Sequence, residues 1–298
     1  MKAKRIVPWY VGLWLGWALS GCMAWSGDDN PVPAYLDIAP FTFQAPAAGQ
    51  GSASAAVGEV WVRVNGNFLG VYSLPARVPV LASGLSSIQL DAGILENGIS
   101  ATPDIYPFYQ PVMLDAHLEP GNVFQISPQS RYRPETRFPL VEGFEGSGHL
   151  FQVLVSGDEA NRMQVDTRNP FEGRASGRIY LDSLHPVVEL ASTTRYSGLL
   201  SKGAFVYLEL NYKSDVPVGF GLLATPRNGG SARIQYVAGF NPGTSWKKIY
   251  FNLSPAVSGS ILEDYQVILK AAIIRQADGT LSRNNAEIQL DNIKLVHF

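Results

Sequence analysis

Along most of this chain apolar and polar residues alternate with a period of two, while the three-to-four spacing of an amphipathic helix is nearly absent. That pattern restricts the body to β-structure, because successive side chains of a strand point to opposite faces. In Glu59–Asn65 the residues Val60, Val62 and Val64 mark one face, and Trp61 and Arg63 the other. Asn65-Gly66 follows, the pair that best tolerates the positive φ angles of a two-residue hairpin turn. Similar runs are Ile88, Leu90, Ala92 and then Val112, Leu114, Ala116, Leu118 before Pro120-Gly121. Residues 35–44 form another candidate strand, which Pro40 confines to an edge or splits.

Prolines 120, 128, 134 and 139 punctuate a largely polar stretch, and the boundary between two domains is expected near Phe138. Beyond it strands are predicted at Ile179–Asp182, Val187–Ala191, Phe205–Lys213, Val218–Ala224, Ala232–Ala238, Trp246–Leu253, Gln266–Ile274 and Glu287–Val296. Short strands separated by Gly, Pro and Asn turns suggest a two-sheet jelly roll. The expected fold class is therefore all-β. A small N-terminal β-sandwich-like domain (35–137) precedes a jelly-roll β-sandwich (138–298).

The first residues carry a different signal. Lys2, Lys4 and Arg5 precede an uncharged run from Ile6 to Gly21, and Leu19-Ser20-Gly21-Cys22 closes it. A positive flank, a short apolar core and small residues before a cut are the marks of an export signal. The run is 16 residues, short of the roughly 20 a spanning helix needs. Leu-Ser-Gly-Cys resembles the lipobox of bacterial lipoproteins position for position. The resemblance implies cleavage after residue 21, fatty acylation of Cys22 and a tether over residues 22–34. Cys22 is the only cysteine, so no internal disulfide forms, and lipidation accounts for a lone thiol in an exported chain. Several acyl chains anchor stably where one would not. Met23 after the cysteine favours the outer membrane, and Asp28-Asp29 resembles the surface-export signals of Bacteroidetes lipoproteins.

Removing residues 1–21 takes away three positive charges and no negative ones, so the formal charge moves from −2 to −5. That balance argues against nucleic acid and anionic lipid surfaces, both of which reward clustered Lys and Arg.

Two further resemblances bear on function. The stretch VWVRVNGNFLG, with the later Gly-bounded IQLDAG, is similar to PEGA-type lipoprotein modules over about residues 57–121. Phe144-Glu145-Gly146, Gly173-Arg174-Ala175-Ser176-Gly177 and Leu290-Asp291-Asn292-Ile293 look like the galactose-binding-type jelly rolls of many carbohydrate-binding modules, over 138–298. The second resemblance implies a structural calcium near the chain ends, with Glu145 and Asp291 among its ligands. Calcium takes six to eight oxygens, so backbone carbonyls would supply most of them.

No catalytic signature is present: no G-x-S-x-G, no H-E-x-x-H, no P-loop. The four histidines (His117, His149, His185, His297) are scattered, and Gly219-Phe220-Gly221 is half a dinucleotide loop with no helix after it. Among carboxylates, Glu209, Glu189, Asp182 and Asp264 are available for a hydrolytic pair. A binding face follows from alternation instead. Tyr207, Glu209 and Asn211 share one side of their strand, and Trp246, Lys248 and Tyr250 repeat the mixture on a later one. Aromatics beside amides and charges suit sugars, whose C–H faces stack on rings while hydroxyls take hydrogen bonds. The same rings could equally fill a seam against the first domain. The expectation is a non-catalytic envelope lipoprotein that binds a glycan or an envelope protein. A structural subunit of a surface assembly is the rival reading, and an accessory protein of glycoside hydrolysis a distant third.

Overall fold

The computed structural model describes residues 31–154, 159–200, 205–257 and 263–298. The export segment, Cys22 and most of the tether lie outside the described residues. What is described is built almost wholly of strands, around two large hydrophobic cores joined by a third, aromatic one.

The first core belongs to β1 (Ala34–Ile38), β3 (Glu59–Val64), β4 (Asn67–Ser73), β5 (Ala76–Val80), β6 (Gly84–Leu95), β8 (Val112–Leu118) and β9 (Val123–Ile126). Between them fall β2 (Thr42–Phe43) and β7 (Pro103–Ile105), and β10 (Gln129–Ser130) follows β9 and pairs with β2. One sheet has the order β5-β1-β9, with β9 parallel to β1. The facing sheet runs β4-β3-β6, and the far edge of β6 is shared by β8 and β7. Val60, Val62 and Val64 meet Leu36, Val78, Ile88 and Leu90 between the sheets, as the alternation requires. Asn65 (φ 51°) and Gly66 (φ 78°) both sit in the left-handed region and form the tight turn. Pro40 does split its segment: β1 ends at Ile38 and pairing resumes at Thr42.

The second core lies between two sheets of β11 (Arg137–Glu142), β12 (Phe151–Val153), β13 (Gln164–Asp166), β14 (Ser176–Asp182), β15 (Val187–Ser192), β16 (Val206–Ser214), β17 (Val218–Pro226), β18 (Arg233–Phe240), β19 (Gly243–Asn252), β20 (Glu263–Ala272) and β21 (Asn285–His297). The proximal sheet has the order β13-β14-β21-β16-β19, with β11 alongside the second half of β21. The distal sheet runs β12-β15-β20-β17-β18. All eight strands expected from alternation are present. The short β11, β12 and β13 are additional.

Candidate functional site

Strand pleating turns Tyr207, Glu209 and Asn211 of β16 away from the core, and Lys248 and Tyr250 of β19 onto the same face. This face is not an open strip. Tyr207 and Tyr250 are each 1% exposed, and Glu209 is fully buried. They pack with Tyr106, Phe108, Tyr109 and Ala92 of the first sandwich in the aromatic third core. The rings of Tyr106 and Tyr250 lie 4.9 Å apart, and those of Tyr106 and Tyr207 5.4 Å at 84°. Asn211 is buried beside Asn292, which donates to its side-chain oxygen at 3.3 Å. Trp246 lies further along β19, edge-on to Phe171 at 5.9 Å. Of the two readings of this face, the sugar-facing strip is corrected: the first sandwich covers Tyr207, Glu209 and Tyr250 as a seam, and Asn211 is buried within the second.

Glu209 is the electrostatic centre of this seam. Its carboxylate accepts from the Tyr106 hydroxyl at 2.5 Å and the Tyr132 hydroxyl at 2.9 Å, and Lys248 Nζ lies 3.0 Å away. Burial alone would push this carboxyl up, but Lys248 and Lys294, with the Tyr106 hydroxyl, hold it below its ordinary value. Lys294 donates to the Ser52 carbonyl at 2.5 Å and to Tyr132 at 3.2 Å, and lies over the Tyr132 ring. Burial pushes its ammonium down to about 8, against the pull of Glu209. At the rim, the Tyr207 hydroxyl donates to Glu96 at 2.5 Å, and Asn97 N–H bonds the Tyr250 carbonyl at 2.8 Å.

Glu145 and Asp291 do not fit a shared calcium. Glu145 Oε1 accepts from the Arg174 and Ala175 amides at 2.8 and 3.3 Å, and the Arg174 guanidinium lies 3.2 Å from Oε2. Asp291 accepts from the amides of Phe171 (3.1 Å), Glu172 (3.4 Å) and Asn292 (2.8 Å). These partners are N–H donors and a cation, whereas calcium needs oxygens. Both acids are loop-fastening groups. Backbone donors of Arg174 lead in holding Glu145 below the usual carboxylate range, while burial raises Asp291 to about 6.

The other carboxylates considered for hydrolysis are likewise held separately. Asp182 bonds the amides of Leu184 and His185, and Arg227 holds Asp264. Among the described residues no three His, Cys, Asp or Glu side chains form a group able to hold a metal ion.

The outward face of the distal sheet is built differently. Register places Gly221 of β17 between Tyr236 of β18 and Ile268 of β20, and Gly219 between Gly239 and Lys270 of the same two strands. A Cβ on Gly221 would stand 2.0 Å from the Gln235 carbonyl oxygen, so only glycine lets β18 bulge inward here. A Cβ on Gly219 would meet the Tyr236 ring at 3.7 Å, which places that ring over the glycine floor. The Tyr236 hydroxyl donates to Glu189 on β15, spanning β17 and β20. Tyr236 remains 37% exposed, Ile234 of the same strand 46%, and Lys270 is exposed beside Glu189. The face therefore presents an oriented ring bordered by an acid, an amine and apolar surface. Gly219-Phe220-Gly221 was visible in the sequence, but its use as a floor under a tyrosine three strand positions away from Glu189 was not.

The junction of the two sandwiches also opens a cleft of about 880 Å³. Phe41, Phe43, Val57 and Glu59 line it from the first domain, and Lys248 and Tyr250 from the second.

No protein-family profile matches the chain, and no curated protein matches it. Solved structures do resemble it. The CBM22-1 xylan-binding domain of Paenibacillus barcinonensis Xyn10C covers 54% of this chain and 94% of its own, at 14% identity and a TM-score of 0.35. TmCBM61 in complex with beta-1,4-galactotriose covers 50% and 88%, at 14% identity and 0.31. A carbohydrate-binding module from the β-sandwich superfamily covers 80% and 84%, at 12% identity and 0.38.

Proposed function

We propose that this chain is a non-catalytic glycan-binding lipoprotein of the cell envelope, anchored in the outer membrane through Cys22, with its ligand face on the distal sheet of the second sandwich. The observation that carries the reading is Tyr236, whose ring lies over Gly219 and whose hydroxyl is fixed by Glu189. A ring held in one orientation loses little entropy when a sugar stacks on it. Lys270 and Glu189 supply a donor and an acceptor for hydroxyls beside the ring. The face lies on a five-stranded sheet and belongs to the sandwich layer opposite the seam.

Affinity electrophoresis through gels containing soluble polysaccharides tests the face. Wild-type protein should be retarded by at least one polysaccharide, and Tyr236→Ala should bind it about tenfold more weakly, the equivalent of roughly 1.4 kcal/mol of stacking. Equal retardation of both proteins would remove Tyr236 from the site. The anchor is tested separately. Cys22→Ala should lose incorporation of a fatty-acid analogue, and undiminished labelling would dismiss the lipobox reading.

A further inference from the structure

We propose that the first sandwich carries a second glycan site, in which the outer face of β3 and β4, continued into the junction cleft, takes a neutral polysaccharide chain. The idea shares its ligand class with the proposed function but stands on a different domain and different residues. Trp61 of β3 stacks on Phe68 of β4 with centroids 5.4 Å apart and planes at 30°, and Phe68 is 51% exposed. Val71 pairs with Trp61 and extends the apolar surface. Across the strip, Arg63 bonds Asp91 at 2.6 Å and lies over the Phe68 ring at 5.6 Å. Gln89 donates to the same carboxylate at 2.9 Å. Arginine and aspartate cancel one another, so the strip carries polar groups without net charge. A charged ligand would have no counter-ion here, whereas a polyhydroxylated ring meets donors, acceptors and aromatic faces at once. The Trp61 indole N–H is buried and has no protein acceptor, so the residue offers the strip its ring rather than its donor.

The strip leads into the cleft. Glu59, Trp61 and Arg63 lie on one face of β3 at successive pleats, and Glu59 lines the cleft wall. Burial raises the Glu59 carboxyl, and its buried Oε2 has no protein partner at the cleft wall. Phe41 and Phe43 form the opposite wall, with centroids 6.4 Å apart. The four residue steps from Glu59 to Arg63 span roughly 13 Å at strand rise. That length suits a linear chain rather than a single small molecule.

The test uses the full-length protein and soluble neutral polysaccharides: hydroxyethylcellulose, arabinoxylan, galactomannan and mixed-linkage β-glucan. Trp61→Ala, Phe68→Ala, Tyr236→Ala and the Trp61/Tyr236 double alanine variant are each measured by affinity electrophoresis, with melting curves as a fold control. Trp61→Ala and Phe68→Ala should each weaken binding of the same polysaccharide about tenfold while Tyr236→Ala retains it. The double variant should lose both activities. Binding lost in Trp61→Ala should also change less than twofold between low and 0.5 M salt. Wild-type binding of every polysaccharide by both Trp61→Ala and Phe68→Ala would overturn the second site and leave the Tyr236 face standing. A tenfold salt loss would overturn its neutral character. Loss in the Trp61 and Phe68 variants, with Tyr236→Ala binding all four polysaccharides as wild type does, would support this site and reject the distal face. A Trp61-dependent protein partner with no polysaccharide bound would overturn the inference.

Discussion

Single residues in the seam show how composition can mislead about role. Glu209, Lys248 and Lys294 are charged, yet their side chains are buried: Lys248 and two tyrosine hydroxyls meet the Glu209 carboxylate, while Lys294 donates to the Ser52 carbonyl and to Tyr132. Removing one partner of such a set leaves uncompensated charge, so Glu209→Ala should cost about 3–5 kcal/mol in chemical denaturation. A loss below 1 kcal/mol would show that the lysines find other partners. Asp291 gives a pH signature. Its folded pKa is raised by burial from 3.8 to about 6, so its protonated form is favoured in the native state. The resulting stability is fully present below the unfolded value and is lost as pH rises through about 6. The stability difference between wild type and Asp291→Asn should therefore shift in favour of wild type on the order of 2 kcal/mol from pH 7 to pH 4. A difference that stays flat across that range would show Asp291 titrating normally. Because its partners are amides, wild-type melting should not respond to calcium or chelator. A rise in melting temperature with calcium would restore the ion. An outward alternation with rings and charges was legible at β16 and β19. Whether sugar or protein covers it depends on a partner surface 100 residues away in sequence, which alternation does not encode.

At the scale of elements, glycines in the distal sheet separate close approach from mere flexibility. Gly221→Ala puts a Cβ 2.0 Å from the Gln235 carbonyl and 2.7 Å from the Tyr236 Cα. Backbone must move, so a loss of about 1–3 kcal/mol is expected together with weaker glycan binding through Tyr236. Gly219→Ala meets the Tyr236 ring at 3.7 Å and the Lys270 carbonyl at 4.0 Å, both ordinary contacts, and should change stability by less than about 1 kcal/mol. Equal costs for the two would mean the β18 bulge does not depend on Gly221. Strands β3 and β16 were readable because their core-facing residues alternate without a break (Val60, Val62, Val64; Val206, Leu208, Leu210), whereas β21 alternates only to Leu290 before Asn292, at φ 51°, shifts the phase. The hairpin at Asn65-Gly66 was readable because its φ angles need those residues. The three-residue β12 and β13 were not, since three positions carry no period. Two-residue β2 and β10 pair in parallel and draw their stability from the seam around Phe43 rather than from local pattern.

For the whole molecule, the seam decides whether the two sandwiches move as one body. Domains joined by small polar contacts swing freely, whereas large apolar interfaces fix them. Here the contact combines Tyr106, Phe108, Tyr109, Tyr207, Tyr250 and Val296, all buried, with an ion cluster at its centre. Residues 96–97 also bridge to Tyr250 of β19, extending the proximal sheet with backbone from the first domain. Separation would expose all of these rings and leave Glu209 without its two tyrosine donors. Unfolding either sandwich therefore destabilises the other, and the full chain should melt in one calorimetric transition. Glu209→Ala, which strikes the seam and neither core, should lower that transition as a whole. The alternative is readily seen: two resolved transitions in wild type, with only one shifted by Glu209→Ala, would mean the seam is too weak to couple the sandwiches. Coupling matters for binding as well. Two glycan faces held on one rigid body engage a long polysaccharide together only when their spacing matches the chain. A Glu209→Ala variant that keeps both faces but loosens the seam should then bind short oligosaccharides as wild type does, while binding long polymers more weakly.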